Sequence, residues 1–208
     1  GARIPSWSTT SSTQLPVARW NQGTAVAGGY VYIVGGSNGT TTQSTVYWAK
    51  FNTTTGTIDP PNPGAGACAN WCTNSAYNLP AARAGLSVVA YNGFLYAIGG
   101  VDGAGARTNT VYYSKIGANG EPNTWNTTTN LTTERSYSAA AVYNNRLYLL
   151  GGQTNANPGG VTTVEYANMN PTGTISSWSS TGMTALTSAR HNHSMQVYND
   201  YMYVIGGN

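Results

Sequence analysis

Four times along the chain an apolar stretch runs into a pair of glycines: Tyr30-Val31-Tyr32-Ile33-Val34-Gly35-Gly36, Phe94-Leu95-Tyr96-Ala97-Ile98-Gly99-Gly100, Arg146-Leu147-Tyr148-Leu149-Leu150-Gly151-Gly152 and Tyr201-Met202-Tyr203-Val204-Ile205-Gly206-Gly207. A repeat in fixed register constrains a fold more than any local propensity does. Each copy must adopt the same unit, and each must bury its apolar faces on its neighbours. Further residues keep the register. A tyrosine stands three residues before the first glycine in every copy (Tyr32, Tyr96, Tyr148, Tyr203). An arginine stands 16 residues before it (Arg19, Arg83, Arg135, Arg190), and a leucine four before the arginine (Leu15, Leu79, Leu131, Leu186). A tryptophan precedes that leucine by eight residues in three copies (Trp7, Trp71, Trp178) and by six in the other (Trp125).

Between one glycine pair and the next tryptophan lies another strand-like stretch: Val46-Tyr47-Trp48-Ala49, Val111-Tyr112-Tyr113-Ser114 and Val164-Glu165-Tyr166-Ala167. Turns follow at Thr55-Gly56-Thr57, Asn119-Gly120 and Thr172-Gly173-Thr174. Each unit therefore reads as four short strands. Strand a follows the arginine, b ends in the glycine pair, c carries the Val-Tyr pattern and d carries the tryptophan. No apolar stripe of helical period is present. Only 7% of residues are charged, and polarity comes instead from Thr, Ser, Asn and Gly, which favour turns and sheet surfaces.

The arginine before a, the Gly-Gly after b, the aromatic in c and the tryptophan in d resemble the kelch repeat, whose period is about 50 residues. Leucine to leucine, the units here measure 64, 52 and 55 residues. The resemblance is to repeat segments of bacterial secreted or cell-surface kelch-like proteins. It implies an all-β fold: a kelch-type β-propeller with four units of four-stranded antiparallel blades around a central channel, strand a innermost. The expected division is one propeller segment. Residues 1–14 supply an outer strand of a preceding or closing blade, 15–78 repeat 1, 79–130 repeat 2, 131–185 repeat 3 and 186–208 a partial repeat 4. The N-terminal strand, Ile4 to Thr9, either closes the ring on blade four or belongs to a larger propeller. The last blade is incomplete, and open blade edges leave room for self-association.

Strands a and b are apolar on both faces, as blades stacked face to face require. The four tyrosines are expected in equivalent, largely buried sites. The glycine pairs (Gly35, Gly36, Gly99, Gly100, Gly151, Gly152, Gly206, Gly207) sit where a side chain would clash or φ must be positive. The arginines are read as structural, bonding backbone carbonyls and holding blades together with their five donors. A ring of four arginines around an anion is the alternative.

The d–a and b–c loops fall at one end of the blades. That face would display Trp20, Asn21 and Gln22, Asn38, Asp102, Ser136 and Tyr137, Gln153, and His191, Asn192 and His193. These residues vary between repeats while the frame does not, so they are the candidate binding residues: Trp20, Asn21, Gln22, Asn38, Asp102, Tyr137, Gln153, His191 and His193. Aromatic area beside amide groups suits a sugar or peptide. His191 and His193 alternate along a strand and would share a face, but a metal site wants three or four ligands and no third is evident. The six carboxylates occupy unmatched positions, with no pair facing across a substrate and no nucleophile elbow. No catalytic residue, metal or cofactor is expected.

Cys68 and Cys72 are the only cysteines. They form either a local disulfide, which implies an oxidising compartment, or two free thiols. Five Asn-x-Ser/Thr sequons are present, at Asn38, Asn52, Asn126, Asn130 and Asn192. The net charge of +3 comes without a basic cluster, which argues against nucleic acid, and no apolar run approaches a membrane span. The expected function is an extracellular or cell-surface, non-enzymatic binding or scaffold module for a protein or glycan partner. The alternatives are a carbohydrate-active enzyme of the kelch type, a sugar oxidase or one like the sialic acid epimerases, and a structural subunit of a surface assembly.

Overall fold

The period-two strands pair with their sequence neighbours, as short connections dictate. In the computed structural model, which describes residues 14–59, 68 and 70–208, the first sheet has the order β1 (Gly23–Ala27), β2 (Tyr30–Val34), β3 (Val46–Phe51) and β4 (Ile58–Asp59). The second repeats it with β5 (Ser87–Tyr91), β6 (Phe94–Ile98), β7 (Val111–Lys115) and β8 (Asn126–Thr127). The third contains β9 (Ala139–Tyr143), β10 (Arg146–Leu150) and β11 (Val164–Asn168). Its fourth strand is reduced to the bridges Tyr166–Ser179 and Met169–Ile175. The last sheet is the hairpin β12 (Ser194–Tyr198) and β13 (Tyr201–Ile205). All pairings are antiparallel, and the helical content of the described residues is one 3-10 turn, Ser75–Tyr77. This is an all-β propeller segment with an incomplete last blade. The stretch Ile4 to Thr9 expected as a strand, with Trp7, and the proline-rich stretch that follows Asp59 in the sequence lie outside the described residues.

The innermost strands meet in chain order, β1 against β5, β5 against β9 and β9 against β12, so the blades fan about one axis. Between them lie three apolar layers. The first joins Tyr32, Val34 and Trp48 of blade 1 to Leu86, Leu95 and Tyr112 of blade 2. The second joins Tyr96 and Ile98 to Leu147 and Leu149. The third joins Tyr148 and Leu150 to Met195, Met202 and Val204. Blades 2 and 3 thus each give one face to the previous blade and the other to the next. Trp125 and Trp178, both buried, reach back across a blade boundary. Their Nε1 groups donate to the carbonyls of Tyr77 (2.9 Å) and Thr129 (3.2 Å).

The glycine pair is explained by two close approaches. A Cβ on Gly99 would sit 2.2 Å from the Arg135 carbonyl oxygen of the next blade, and one on Gly100 would sit 2.9 Å from that of Ala84 in its own blade. Both glycines also have positive φ, 61° and 96°, where side chains are disfavoured. Across each boundary the second glycine's N–H donates to the next arginine's carbonyl: Gly36 to Arg83 (2.7 Å), Gly100 to Arg135 (2.8 Å), Gly152 to Arg190 (2.8 Å).

One expectation needs correction. Tyr32, Tyr96 and Tyr148 are 0%, 1% and 7% exposed, but Tyr203 is 46% exposed. The tyrosine occupies the same place in each hairpin, facing the following blade. Nothing among the described residues covers that face of blade 4.

Candidate functional site

Two residues after each repeat arginine the backbone turns left-handed: φ is 52° at Asn21, 61° at Gly85, 55° at Tyr137 and 55° at Asn192. Asparagine and glycine tolerate this region, whereas a bulky residue is held there only by its surroundings. The holding force is visible. The Gly85 N–H donates to the Asn21 carbonyl (2.7 Å), the Tyr137 N–H to that of Gly85 (2.7 Å), and the Asn192 N–H to that of Tyr137 (2.9 Å). The four turns form a continuous arc of backbone hydrogen bonds around the axis. Gly85 is required by its neighbour as well, since a Cβ there would enter the Tyr137 ring at 2.6 Å.

Inside the arc lies a cavity of about 230 Å³ lined by Asn21, Gln22, Gly85, Leu86, Tyr137, Ser138, Asn192 and His193. Of the binding residues expected from sequence, Asn21, Gln22, Tyr137 and His193 line it together. Trp20 lies outside this lining, 57% exposed and bridged to Ser37. The loops absorb three others. Asn38 Oδ1 accepts from the Thr40 and Thr41 N–H groups, and Asp102 Oδ1 from those of Ala104 and Ala106. Gln153 accepts from Arg107 Nη2 (2.7 Å) and donates to the Pro158 carbonyl (2.5 Å).

The two histidines do not alternate on one strand face. The strand begins at Ser194 and left-handed Asn192 stands between them; His193 borders the cavity with its ring packed against Gly151, while His191 pairs its backbone with Asn208 outside the lining. Neither ring nitrogen of His193 has a hydrogen bond of normal geometry, although the residue is only 7% exposed. Burial first, and then the charge of Arg190, push its pKa below the usual histidine range, against a pull upward from the Leu150 backbone. The ring is neutral at neutral pH and carries one donor and one acceptor nitrogen. Among the described residues no group of three or more His, Cys, Asp or Glu comes together that could hold a metal ion.

None of the four arginines lines the cavity. Arg135 Nη1 donates to the Gly151 carbonyl (2.9 Å), Arg190 Nη1 to that of Gly206 (2.9 Å), and Arg83 Nη1 to that of Ala82 (3.0 Å). Their second partner differs between blades. Arg19 lies over the Tyr47 ring at 5.3 Å and Arg83 over the Tyr112 ring at 5.8 Å. In blade 3 the equivalent residue is Glu165, which accepts from Arg135 at 3.3 Å and also from Thr132. Both members of that ion pair are buried, and burial holds the guanidinium below the usual arginine range, opposed by Glu165. A buried charge left without its partner costs about 3–5 kcal/mol, so this carboxylate is committed to the frame. Glu134 likewise accepts from the Asn155 N–H at 2.9 Å.

The hydrogen-bonded arc was not expected from sequence. Its signal was Asn21, Gly85 and Asn192 at the same offset from the arginine, a set that shares tolerance of positive φ, with Tyr137 breaking the pattern. Cys68 and Cys72 are joined in a disulfide, with Cα atoms 5.0 Å apart.

The family of the DUF6242 beta propeller domain matches residues 3–156. Solved structures match as well, among them one titled "Structure of YjhT", with a TM-score of 0.67 and 17% identity over 93% of this chain. The match covers 63% of that protein's own length, and at this identity the likeness is one of fold. No curated protein sequence matches.

Proposed function

The chain belongs to the DUF6242 beta propeller domain family, and we propose that it is an exported, non-enzymatic binding module that takes a glycan or protein ligand at the mouth of its central axis. The observation that carries this reading is the convergence of Asn21, Gln22, Tyr137, Asn192 and His193 from three blades on one cavity. A few placed polar groups beside an aromatic ring on a rigid frame are what orient a small polar ligand. The volume, about 230 Å³, suits a single sugar ring or one side chain of a protein loop rather than a large cofactor. No aspartate or glutamate belongs to the lining, which favours binding over carboxylate-assisted sugar chemistry. The disulfide supports an oxidising, extracellular setting, where such bonds persist.

The test is a glycan array and a panel of extracellular matrix and surface proteins probed with three forms of the chain. Gln22→Ala and Tyr137→Asn, the latter chosen because asparagine keeps the left-handed turn, are expected to abolish whatever binding the parent shows, with unchanged melting temperature. Binding that survives both substitutions places the site elsewhere. Consumption of a sugar by the parent overturns the non-enzymatic reading.

A further inference from the structure

Three of the four turns in the arc carry residues at ease with a left-handed backbone, Asn21, Gly85 and Asn192. Tyr137 holds φ of 55° against the strain of a bulky side chain, and strain of this kind gathers where a side chain is needed in one place. The place is over blade 2. A Cβ on Gly85 would fall 2.6, 2.8 and 2.9 Å from three consecutive carbons of the Tyr137 ring, which sets that point above the ring's face rather than beyond its edge. Glycine in one turn and tyrosine in the next are thus a matched pair. The first gives up its side chain so that the second can lay a flat ring at the mouth of the axis. The ring is half-buried and borders the cavity. Among the described residues Tyr137 makes no hydrogen bond through its side chain and no contact with another ring or a cation, so the frame makes no use of the aromatic surface beyond Gly85.

The polar groups around this ring are of one kind. Asn21 and Gln22 enter the lining from blade 1 and Asn192 from blade 4. Among the described residues none of the three side-chain amides has a hydrogen-bond partner. Each offers both donor and acceptor capacity. The Ser138 hydroxyl, by contrast, is already paired with that of Ser87 at 3.1 Å across the blade boundary. No Asp, Glu, Lys or Arg belongs to the lining, so a charged ligand group would leave water without a counter-charge, which is costly. A hydroxyl is itself donor and acceptor, and an amide pairs with it in either direction. A pyranose brings an apolar C–H face and a rim of hydroxyls together, which answers a flat ring flanked by amides.

We infer, resting on the reading of this cavity as the binding site, that its ligand is an uncharged pyranose, the terminal residue of a neutral glycan, stacked by its C–H face on the Tyr137 ring with its hydroxyls on Gln22, Asn21 and Asn192. Stacking fixes the plane of the sugar and the amides fix its rotation. Acidic sugars are disfavoured because no cation meets their carboxylate.

Saturation-transfer NMR on the parent chain reads this with methyl glycosides of neutral hexoses and N-acetylhexosamines, and with N-acetylneuraminic acid and methyl glucuronide as acidic probes. At least one neutral glycoside is expected to bind, with saturation concentrated on the C–H protons of one ring face. Both acidic sugars are expected to bind at least about tenfold more weakly. Tyr137→Phe keeps the ring and should retain the affinity within about threefold. Tyr137→Asn keeps the left-handed turn but removes the ring, and should weaken binding at least about tenfold with unchanged melting temperature. An acidic sugar bound more tightly than the neutral ones, or no probe sugar bound at all, overturns the ligand class alone. The cavity as a site then stands if a protein ligand is lost on Gln22→Ala. Neutral-sugar binding that survives both Tyr137→Asn and Gln22→Ala overturns the stacking and the cavity together.

Discussion

Tyr96 and Tyr203 hold the same place in the same hairpin, and their surroundings have little in common. Tyr96 is 1% exposed, sealed between blades 2 and 3, and burial drives its phenol pKa up to about 12. Tyr203 shows nearly half its surface. The repeat assigns each position a face, but the neighbouring blade supplies the burial. In this fold the stabilising unit is therefore the boundary between blades rather than the blade itself, as in other stacked repeats.

That contrast can be broken most forcefully by truncation. Tyr96→Ala is expected to cost about 3–5 kcal/mol, the usual range for losing a large buried aromatic, whereas Tyr203→Ala should cost less than about 1 kcal/mol, as at an exposed site. Urea unfolding of both variants decides, and equal losses would mean that the hairpin, not the boundary, holds the tyrosine's energy. The glycine pair offers a smaller version of the same contrast. Gly206 has φ of 72° with nothing within 4 Å of a Cβ, so Gly206→Ala costs only the left-handed strain of about 1–2 kcal/mol. Gly99→Ala adds a collision with the Arg135 carbonyl and is expected to cost at least about 1 kcal/mol more. Thermal melts of the two single variants sharpen the point, since both change one glycine to alanine at positive φ.

The mildest effect is a pH dependence at the last boundary. The pKa of His193 is lowered in the folded chain, so near the ordinary value of about 6.5 the unfolded chain binds more protons. Its contribution is fully present above that value and is lost as pH falls through the folded pKa. His193→Gln should flatten this part of the stability profile between neutral and mildly acidic pH. A variant profile parallel to the parent's would show that His193 does not titrate differently on folding.

Much of this was legible in the sequence because it is written in residues at fixed offsets. The b strands, the glycine pairs and the arginines all follow from register, and strands β2, β6, β10 and β13 begin where the apolar runs begin. The candidate site was legible in part. Asn21, Gln22, Tyr137 and His193 converge because their offsets from the arginine are alike. Asn38, Asp102 and Gln153 look equally free in a sequence, and only their loop conformations show their oxygens already engaged. Glu165 was hidden for a different reason. It stands where two other repeats have tyrosine, and a carboxylate and an aromatic ring both satisfy a guanidinium. The exposure of Tyr203 is legible from no residue of blade 4, because it depends on a neighbouring surface.

The arc through Asn21, Gly85, Tyr137 and Asn192 spends its peptide groups tangentially. Their dipoles run head to tail around the rim, so no end of the array points at the cavity, unlike a helix terminus or an amide nest. At those links the backbone has little polarity left to offer a guest, and the vocabulary of the mouth is that of its side chains. Exchanging Gln22, Leu86, Ser138 or His193, the four residues that follow the arc, would then rewrite what is recognised while leaving the circumference that spaces the blades untouched.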